Sequence, residues 1–428
     1  MPITKCLKVL LLKVLHKITS YSMEKLQEAI RLNEIIQKKQ KKDKYTKPNL
    51  FFRIEQFIQE KKLIGYGGTA INHALPNESK FYQEDDIPDY DFFSTHPTED
   101  IRELADLLSP HFPNVEVKPA MFPGTYKLFV NYLPLVDMTQ IDEELFRTLW
   151  ADSFQKDGIH YVPYNYLRMS MYQELARPMG DISRWSKIFQ RLTLLNKHHP
   201  FRIRRCNVQP TGKVPSAIVK NLNRRVKDYV CLGDYAMYYW QELFPVQFQY
   251  PQQDVLILLS ETIDEIWKKL KGLEVRFTYY ENKLIKLYEI YIENHPVLYV
   301  ILSDSCLNYN LYKGRKIATY DTTLYLYYAL SLIQVTHLSK QKILSYCYLL
   351  LQIKEEHPLM RRFYMPCYGS QITLEEIRQK REALYKENKH STLFFHYRPK
   401  EGARSRSRSK KIDAVRRKKK TVKNGHAD

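Results

Sequence analysis

The chain has 428 residues, 44% of them hydrophobic, which is enough for two domains with full cores. Its formal charge of +20 points to a polyanionic partner rather than a small neutral one. Six scattered cysteines with no C-x-x-C pair argue against structural zinc and against any need for a disulfide framework, and they fit a reducing compartment.

At the N-terminus, CLKVLLLKVLHKI is interrupted by Lys8, Lys13 and His16, too short and too charged to span a membrane, and no small-residue cleavage site follows it. Residues 23–37 (MEKLQEAIRLNEIIQ) place Leu26, Ile30, Leu32, Ile35 and Ile36 at near-helical spacing, and residues 49–61 give a second amphipathic helix. Both read as packing supports. The lysine run between them, Lys38 to Lys44, is either a solvated face or an RNA contact.

From Leu63 to Phe92 the chain reads as a short apolar strand, a glycine turn (Gly65, Gly67, Gly68), a helix from Thr69 to Leu75, and a second strand carrying Asp89 and Asp91. A strand repeats every two residues, so these two carboxylates share a face, and paired carboxylates suit a divalent cation such as Mg2+. The glycine turn opens a helix whose free N–H groups can hold a triphosphate. Together these features make a site for metal-assisted nucleotidyl transfer. A helix over Pro97–Leu108 follows, then two alternating apolar runs in TYKLFVNYLPLVDMTQI, with Gly124 in the preceding turn. Asp137 is the one acid there, costly in a strand core unless paired or metal-bound. Lys127 reads as an outward strand lysine or a phosphate contact. Tyr161 to Leu175 forms an aromatic-rich helix. In Ala176 to Leu195, Arg184, Lys187 and Arg191 share one helix face, open to phosphate or simply solvated, with Trp185, Ile188 and Leu192 on another.

A glycine pair (Gly67, Gly68), then Asp-x-Asp on a strand, then a third acid on a later strand resembles the polymerase-beta-like nucleotidyltransferases, and GGTAIN, DYDFFS, PLVDMTQI and ARPMGDISRWSKIFQRL, in family order, most closely resemble the poly(A) polymerase catalytic subunits of large cytoplasmic DNA viruses of the giant-virus and African swine fever-like kind. The spacing of 21 positions from Gly68 to Asp89 is longer than many members of the superfamily show. The resemblance implies adenylyl transfer from ATP to an RNA 3′ end, with Asp89, Asp91 and Asp137 as catalytic and metal-binding residues for Mg2+ or Mn2+. It further implies nucleotide contacts at Gly67, Gly68, Thr69, Arg184 and Lys187, a location in the host cytoplasm or virion, and a possible homodimer. Uridylyl transfer, oligoadenylate synthesis and a non-catalytic RNA-binding processivity role are the rival readings.

Residues 197–227 are basic and proline-containing, the expected domain junction. Beyond them DYVCLGDYAMYYW resembles LIGYGGTAINHAL, and Gly233 to Asp254 repeats the interval of 21 positions, placing Asp254 on Asp89 and Leu256 on Asp91. The expected class is therefore α+β: an N-terminal helical region (1–48), a polymerase-beta-like nucleotidyltransferase domain with a helical extension (49–196), a linker (197–227), a degenerate nucleotidyltransferase-like and helical domain (228–398), and a basic low-complexity tail (399–428) that either grips RNA or serves as a localisation signal.

Overall fold

A computed structural model describes residues 23–37, 49–82, 86–208, 214–244, 255–333, 337–353, 362–363 and 366–399. The tail, the lysine run before residue 49 and Asp254 lie outside them. Among the described residues the chain falls into two compact units, one holding 23–37, 49–57, 81–82 and 86–88, the other the remainder. In the first, residues 23–37 form helix α1 as expected, but every side chain on it is exposed, Leu26 and Ile30 included, so it is not the packing support its periodicity suggested.

After α2 (Leu50–Lys61), the larger unit begins with a first lobe of β1 (Ile64–Gly65), α3 (Gly67–Ala74), β2 (Tyr90–Ser94), α4 (Pro97–Leu108), β3 (Val115–Pro119), β4 (Thr125–Val130), β5 (Leu133–Gln140), α5 (Glu143–Ala151), β6 (Phe154–Lys156), β7 (Ile159–Tyr161), α6 (Tyr164–Leu175) and α7 (Trp185–His198). After α8 (Ser216–Arg225), a second lobe has β8 (Val230–Leu232), α9 (Gly233–Trp240), β9 (Leu256–Ser260), α10 (Ile263–Leu270), β10 (Val275–Glu281), β11 (Lys286–Ile292), β12 (His295–Leu302), β13 (Leu307–Tyr312), β14 (Arg315–Ala318), α11 (Tyr320–Ser331), α12 (Lys340–Leu350), β15 (Cys367–Tyr368) and α13 (Leu374–Glu387).

The strand order is β3-β4-β5-β2-β1-β7-β6 in the first sheet and β10-β11-β12-β9-β8-β14-β13-β15 in the second. Apart from the added β15, each strand of one sheet has a counterpart in the other. Directions agree as well: β1–β2 and β8–β9 are antiparallel, while β2–β5 and β9–β12, like β1–β7 and β8–β14, are parallel. In both lobes a glycine with positive φ starts the helix after the first strand, Gly67 at 70° and Gly233 at 74°, a conformation that strains any other residue.

The register corrects the count made from spacing. Asp91 lies opposite Asp137 in the first sheet, and its counterpart Ile257 lies opposite Tyr299 in the second. Ile257 rather than Leu256 therefore takes the place of Asp91, and Val255 that of Asp89. Interval counting slipped by one residue because the equivalent glycine of the first lobe is Gly67, not Gly68.

At the centre, α6 packs on α11, each the helix that follows its lobe's β7 or β14 strand. All twelve residues of α11 are buried, Tyr172 stacks on Tyr328 with ring centroids 6.3 Å apart, and Gln173 Nε2 donates to the Tyr325 hydroxyl at 2.9 Å. Cys306 and Cys367 form a disulfide, contrary to the expectation that no bridge is needed. No described helix is long and apolar enough to cross a membrane.

Candidate active site

The site is built where the end of β1 meets the start of β2. Gly65 closes β1, Tyr66 continues extended, and Gly67 turns the chain into α3. Two bonds stitch this corner to the acidic segment: Tyr66 N donates to Asp91 O at 2.9 Å, and the Thr69 hydroxyl donates to Asp89 O at 2.6 Å. No side chain caps the first turn of α3, so its N–H groups remain available to an anion. A β-carbon at position 67 would fall on Asp91 Oδ2.

Across the sheet, Asp91, Asp137 and Lys127 are in-register partners on the adjacent strands β2, β5 and β4. They form one row on one face. Lys127 Nζ is ion-paired with Asp137 Oδ2, so the lysine read as outward points instead along the acidic row. The other oxygen, Asp137 Oδ1, is buried with no hydrogen-bond partner, an expensive arrangement for an acceptor. Asp89 sits one position before β2, exposed at the edge.

Crowding shows in the ionisation of the acids. Burial, then the charges of Asp89 and Asp137, push the Asp91 carboxyl up to about 8 against the smaller pull of Lys127 and Arg184. Desolvation and Asp137 also raise Asp89. The Tyr66 ring stacks on Phe93 at 3.9 Å, and its hydroxyl bonds Thr139 Oγ1 at 2.8 Å, which in turn bonds Thr125 Oγ1 at 2.9 Å. Burial and then Asp91 raise the Tyr66 phenol. Because Asp91 rises from an ordinary 3.8 to about 8, the folded chain keeps a proton in that range that the unfolded chain has lost. Stability in metal-free buffer is therefore expected to fall as pH rises from 4 to 8, at up to about 1.4 kcal/mol per unit. Denaturant melts across that range should show this slope in the native chain and a flatter one in Asp91→Asn; equal slopes would remove Asp91 as the cause.

The cationic flank comes from α7 and the turn before it. Arg184 Nε meets Glu174 Oε2 at 3.2 Å, and the charge of Arg184 reaches Asp91. Lys187 is lowered by burial and then by Arg191 and Arg184, so the three cations lie close enough to repel one another. Arg184, Arg177 and Lys187 together oppose the upward shift that burial gives Glu174. Thus Asp89, Asp91, Asp137, Gly67, Thr69 and Arg184 come together, and Lys187 extends the flank. Tyr66, Glu174 and Arg177 are additions, and Lys127 joins them as a partner of Asp137. The hairpin turn at Asn131 and Tyr132, both at positive φ, signals β4 pairing with β5, yet a bulge between Leu128 and Phe129 is what brings Lys127 to Asp137 rather than to Val136.

Three hard oxygen donors, one of them with an orphaned buried oxygen, match the chemistry of a divalent cation such as Mg2+ or Mn2+. Among the described residues no three His, Cys, Asp or Glu side chains stand within coordinating distance of a common point; Lys127 holds Asp137 instead.

Residues 52–181 match the family model described as "Poly(A) polymerase catalytic subunit". A candidate poly(A) polymerase catalytic subunit of African swine fever virus (isolate Pig/Kenya/KEN-50/1950) is 30% identical over 158 residues, 35% of this chain and 33% of the relative. Its counterpart in Acanthamoeba polyphaga mimivirus is 28% identical over 188 residues, 41% of this chain and 31% of the relative. The chain thus spans about a third of the length of the curated relatives it matches. The crystal structure of the Megavirus polyadenylate synthase aligns with a TM-score of 0.74 at 20% identity, over 91% of this chain and 89% of that one, which establishes a likeness of fold. The resemblance read from the four sequence blocks is borne out.

Proposed function

We propose that the chain is a template-independent RNA 3′-adenylyltransferase that adds AMP from ATP to RNA 3′ ends. The observation that carries this reading is the in-register row of Asp91, Asp137 and Lys127 beside a glycine-started helix. Asp89, Asp91 and Asp137 would hold divalent ions. When bound, such ions lower the pKa of the attacking 3′-hydroxyl and offset the charge of the triphosphate. The protein's own part is positioning. The N–H groups of Gly68 and Thr69 face the β- and γ-phosphates, while Arg184 and Lys187 supply positive charge on the other side. Lys127 holds Asp137 in the row through their ion pair. In-line attack on the α-phosphate needs no covalent protein intermediate, so alignment and charge stabilisation supply the rate.

The second lobe is, in this reading, a degenerate copy of the first. The shared strand order supports it, and Val255, Ile257 and Tyr299 at the three acid positions leave that copy without metal ligands. In this reading the whole acts in the host cytoplasm or virion, as a homodimer.

The decisive experiment incubates purified protein with a labelled RNA primer, Mg2+ and each nucleoside triphosphate in turn. Extension with ATP alone is expected; extension with UTP at a similar rate would overturn adenylyl specificity, and extension with none would overturn the activity. Gly67→Ala is expected to lower the extension rate about a hundredfold or more, because a side chain there both strains the positive-φ turn and displaces the Asp91 carboxylate. Wild-type rates in that variant would mean that the turn does not set the position of Asp91.

A further inference from the structure

Between the two lobes runs a groove shared by two cavities and walled by Arg177, Asp304, Gln371 and Lys380. On the side of the first lobe it opens into a cavity of about 500 Å3 whose walls include Phe122 and Pro123 of the β3–β4 turn, with Leu393 and Phe394. On the side of the second lobe it widens to about 700 Å3 beside Lys283 and Lys286, around the β10–β11 turn. The two turns hold the same place in the two sheets, so the groove joins equivalent corners of the lobes.

Its polar groups are incompletely matched within the chain. Gln371 donates its Nε2 to Ile372 O at 3.3 Å, and its Oε1 is buried with no partner. The charge of Arg177 acts on the Tyr325 hydroxyl, while the Arg177 Nε is likewise buried and unpartnered. Asp304 is exposed at the groove mouth and makes no ion pair among the described residues, although Arg177 and Lys380 line the same groove. A carboxylate is out of place in a channel meant only for phosphates. Beside an unpartnered amide oxygen and a guanidinium donor, it makes two acceptors and one donor at the mouth of an apolar chamber. The buried, unmatched atoms of Gln371 and Arg177 discriminate strongly, because a ligand that fails to pair them leaves them desolvated.

We infer that this groove binds single-stranded RNA with an adenine base seated in its apolar chamber, the 6-amino group donating to Asp304 and Gln371 and a ring nitrogen accepting from Arg177. The inference rests on the RNA reading above and deepens it, since it makes the groove a reader of the adenylate tail rather than of the incoming nucleotide. Phe122 and Phe394 offer aromatic surface for the base, and Lys283, Lys286 and Lys380 face the phosphates. Uracil would bring carbonyl oxygens against two acceptors, which both repels and strands them. Cytosine has the same donor and acceptor edge as adenine but fills less of the chamber. Charge links the groove to the active site: Arg177 and Arg184 both act on Glu174, and Arg184 acts on Asp91.

The test is equilibrium binding of fluorescent oligo(A), oligo(C) and oligo(U) of one length to the full chain, without ATP or metal, at two salt concentrations. Oligo(A) is expected to bind about tenfold tighter than oligo(U), with oligo(C) between them. Oligomers of purine riboside, which lacks the amino group, should lose the preference in the native protein. Asp304→Ala and Gln371→Ala should each bring the oligo(A) to oligo(U) ratio towards one while leaving the salt slope unchanged, since neither contacts phosphate. Equal binding of oligo(A) and oligo(U) by the native protein, or a preference that survives in both variants and with purine riboside, overturns the inference. Primer extension, scored separately, distinguishes the two failures: extension without base preference in binding removes the tail reader alone, and base preference without extension removes the activity alone.

Discussion

Asp91→Asn and Asp137→Asn are each expected to lower primer extension by at least about a thousandfold while leaving the fold intact. Both changes keep the side-chain shape and remove a charge from the in-register row. The two should differ in stability. Asp91 is the acid whose ionisation burial and its neighbours oppose most clearly, so Asp91→Asn should melt at least as high as the native chain at pH 8. Asp137→Asn takes away the partner of Lys127, a half-exposed lysine that water can resolvate, and should melt slightly lower. Rates within threefold of native in Asp137→Asn would remove it as the third carboxylate.

Lys342→Met should cost about 3–5 kcal/mol of stability with no loss of extension rate per folded molecule. In the second lobe Asp234 stands where the first lobe has Gly68, one residue into the glycine-started helix, and it is 1% exposed. Its carboxylate is filled from three sides, by Lys342 Nζ at 2.9 Å, by Val255 N at 3.0 Å and by the Tyr346 hydroxyl. The space proposed to cradle phosphate in one lobe is thus occupied in the other by a buried ion pair. Removing the lysine alone leaves a buried carboxylate without its counter-charge. Removing both charges together, in Asp234→Asn with Lys342→Met, should recover much of the loss. Chemical denaturation of the two variants measures both outcomes, and a loss of less than about 1 kcal/mol in Lys342→Met would mean that the pair is solvated.

Much of the first lobe was legible because its signals are local. Pro97 opens α4, the helix ends at Leu108 as its apolar spacing predicts, and the glycine turn leads directly into α3. The acidic row was legible in residue type but not in geometry. Register depends on a one-residue bulge in the β4–β5 hairpin, and a bulge leaves no composition signature in a run as apolar as TYKLFVNYLPLV. The strands β3, β6 and β7 are only three to five residues long, too short for alternation to stand out from the surrounding loops. In the second lobe the repeat was visible, but its alignment hung on which of two adjacent glycines carries positive φ, a property of the backbone that residue identity does not reveal. The groove shared by Arg177 and Asp304 was not legible, because it exists only once two segments 127 positions apart in the chain are packed together.

The outer edge of the first sheet is closed from far along the chain. Val117 of β3 exchanges both backbone bonds with Tyr397, at 2.8 and 3.1 Å, Tyr126 OH donates to Thr392 O at 2.8 Å, and Glu116, buried in β3, is met by His396 and Arg398 at 2.8 Å. During synthesis, the lobe that carries the acids therefore leaves the ribosome well before the segment that completes its sheet edge. Until residues 391–398 emerge, β3 is a bare sheet edge with a buried acid short of two of its cations, the kind of surface that recruits chaperones or pairs with a neighbouring nascent chain. Translation through residue 398 thus precedes a finished first sheet, and a chain cut short before that segment retains its three acids without the edge that closes their sheet.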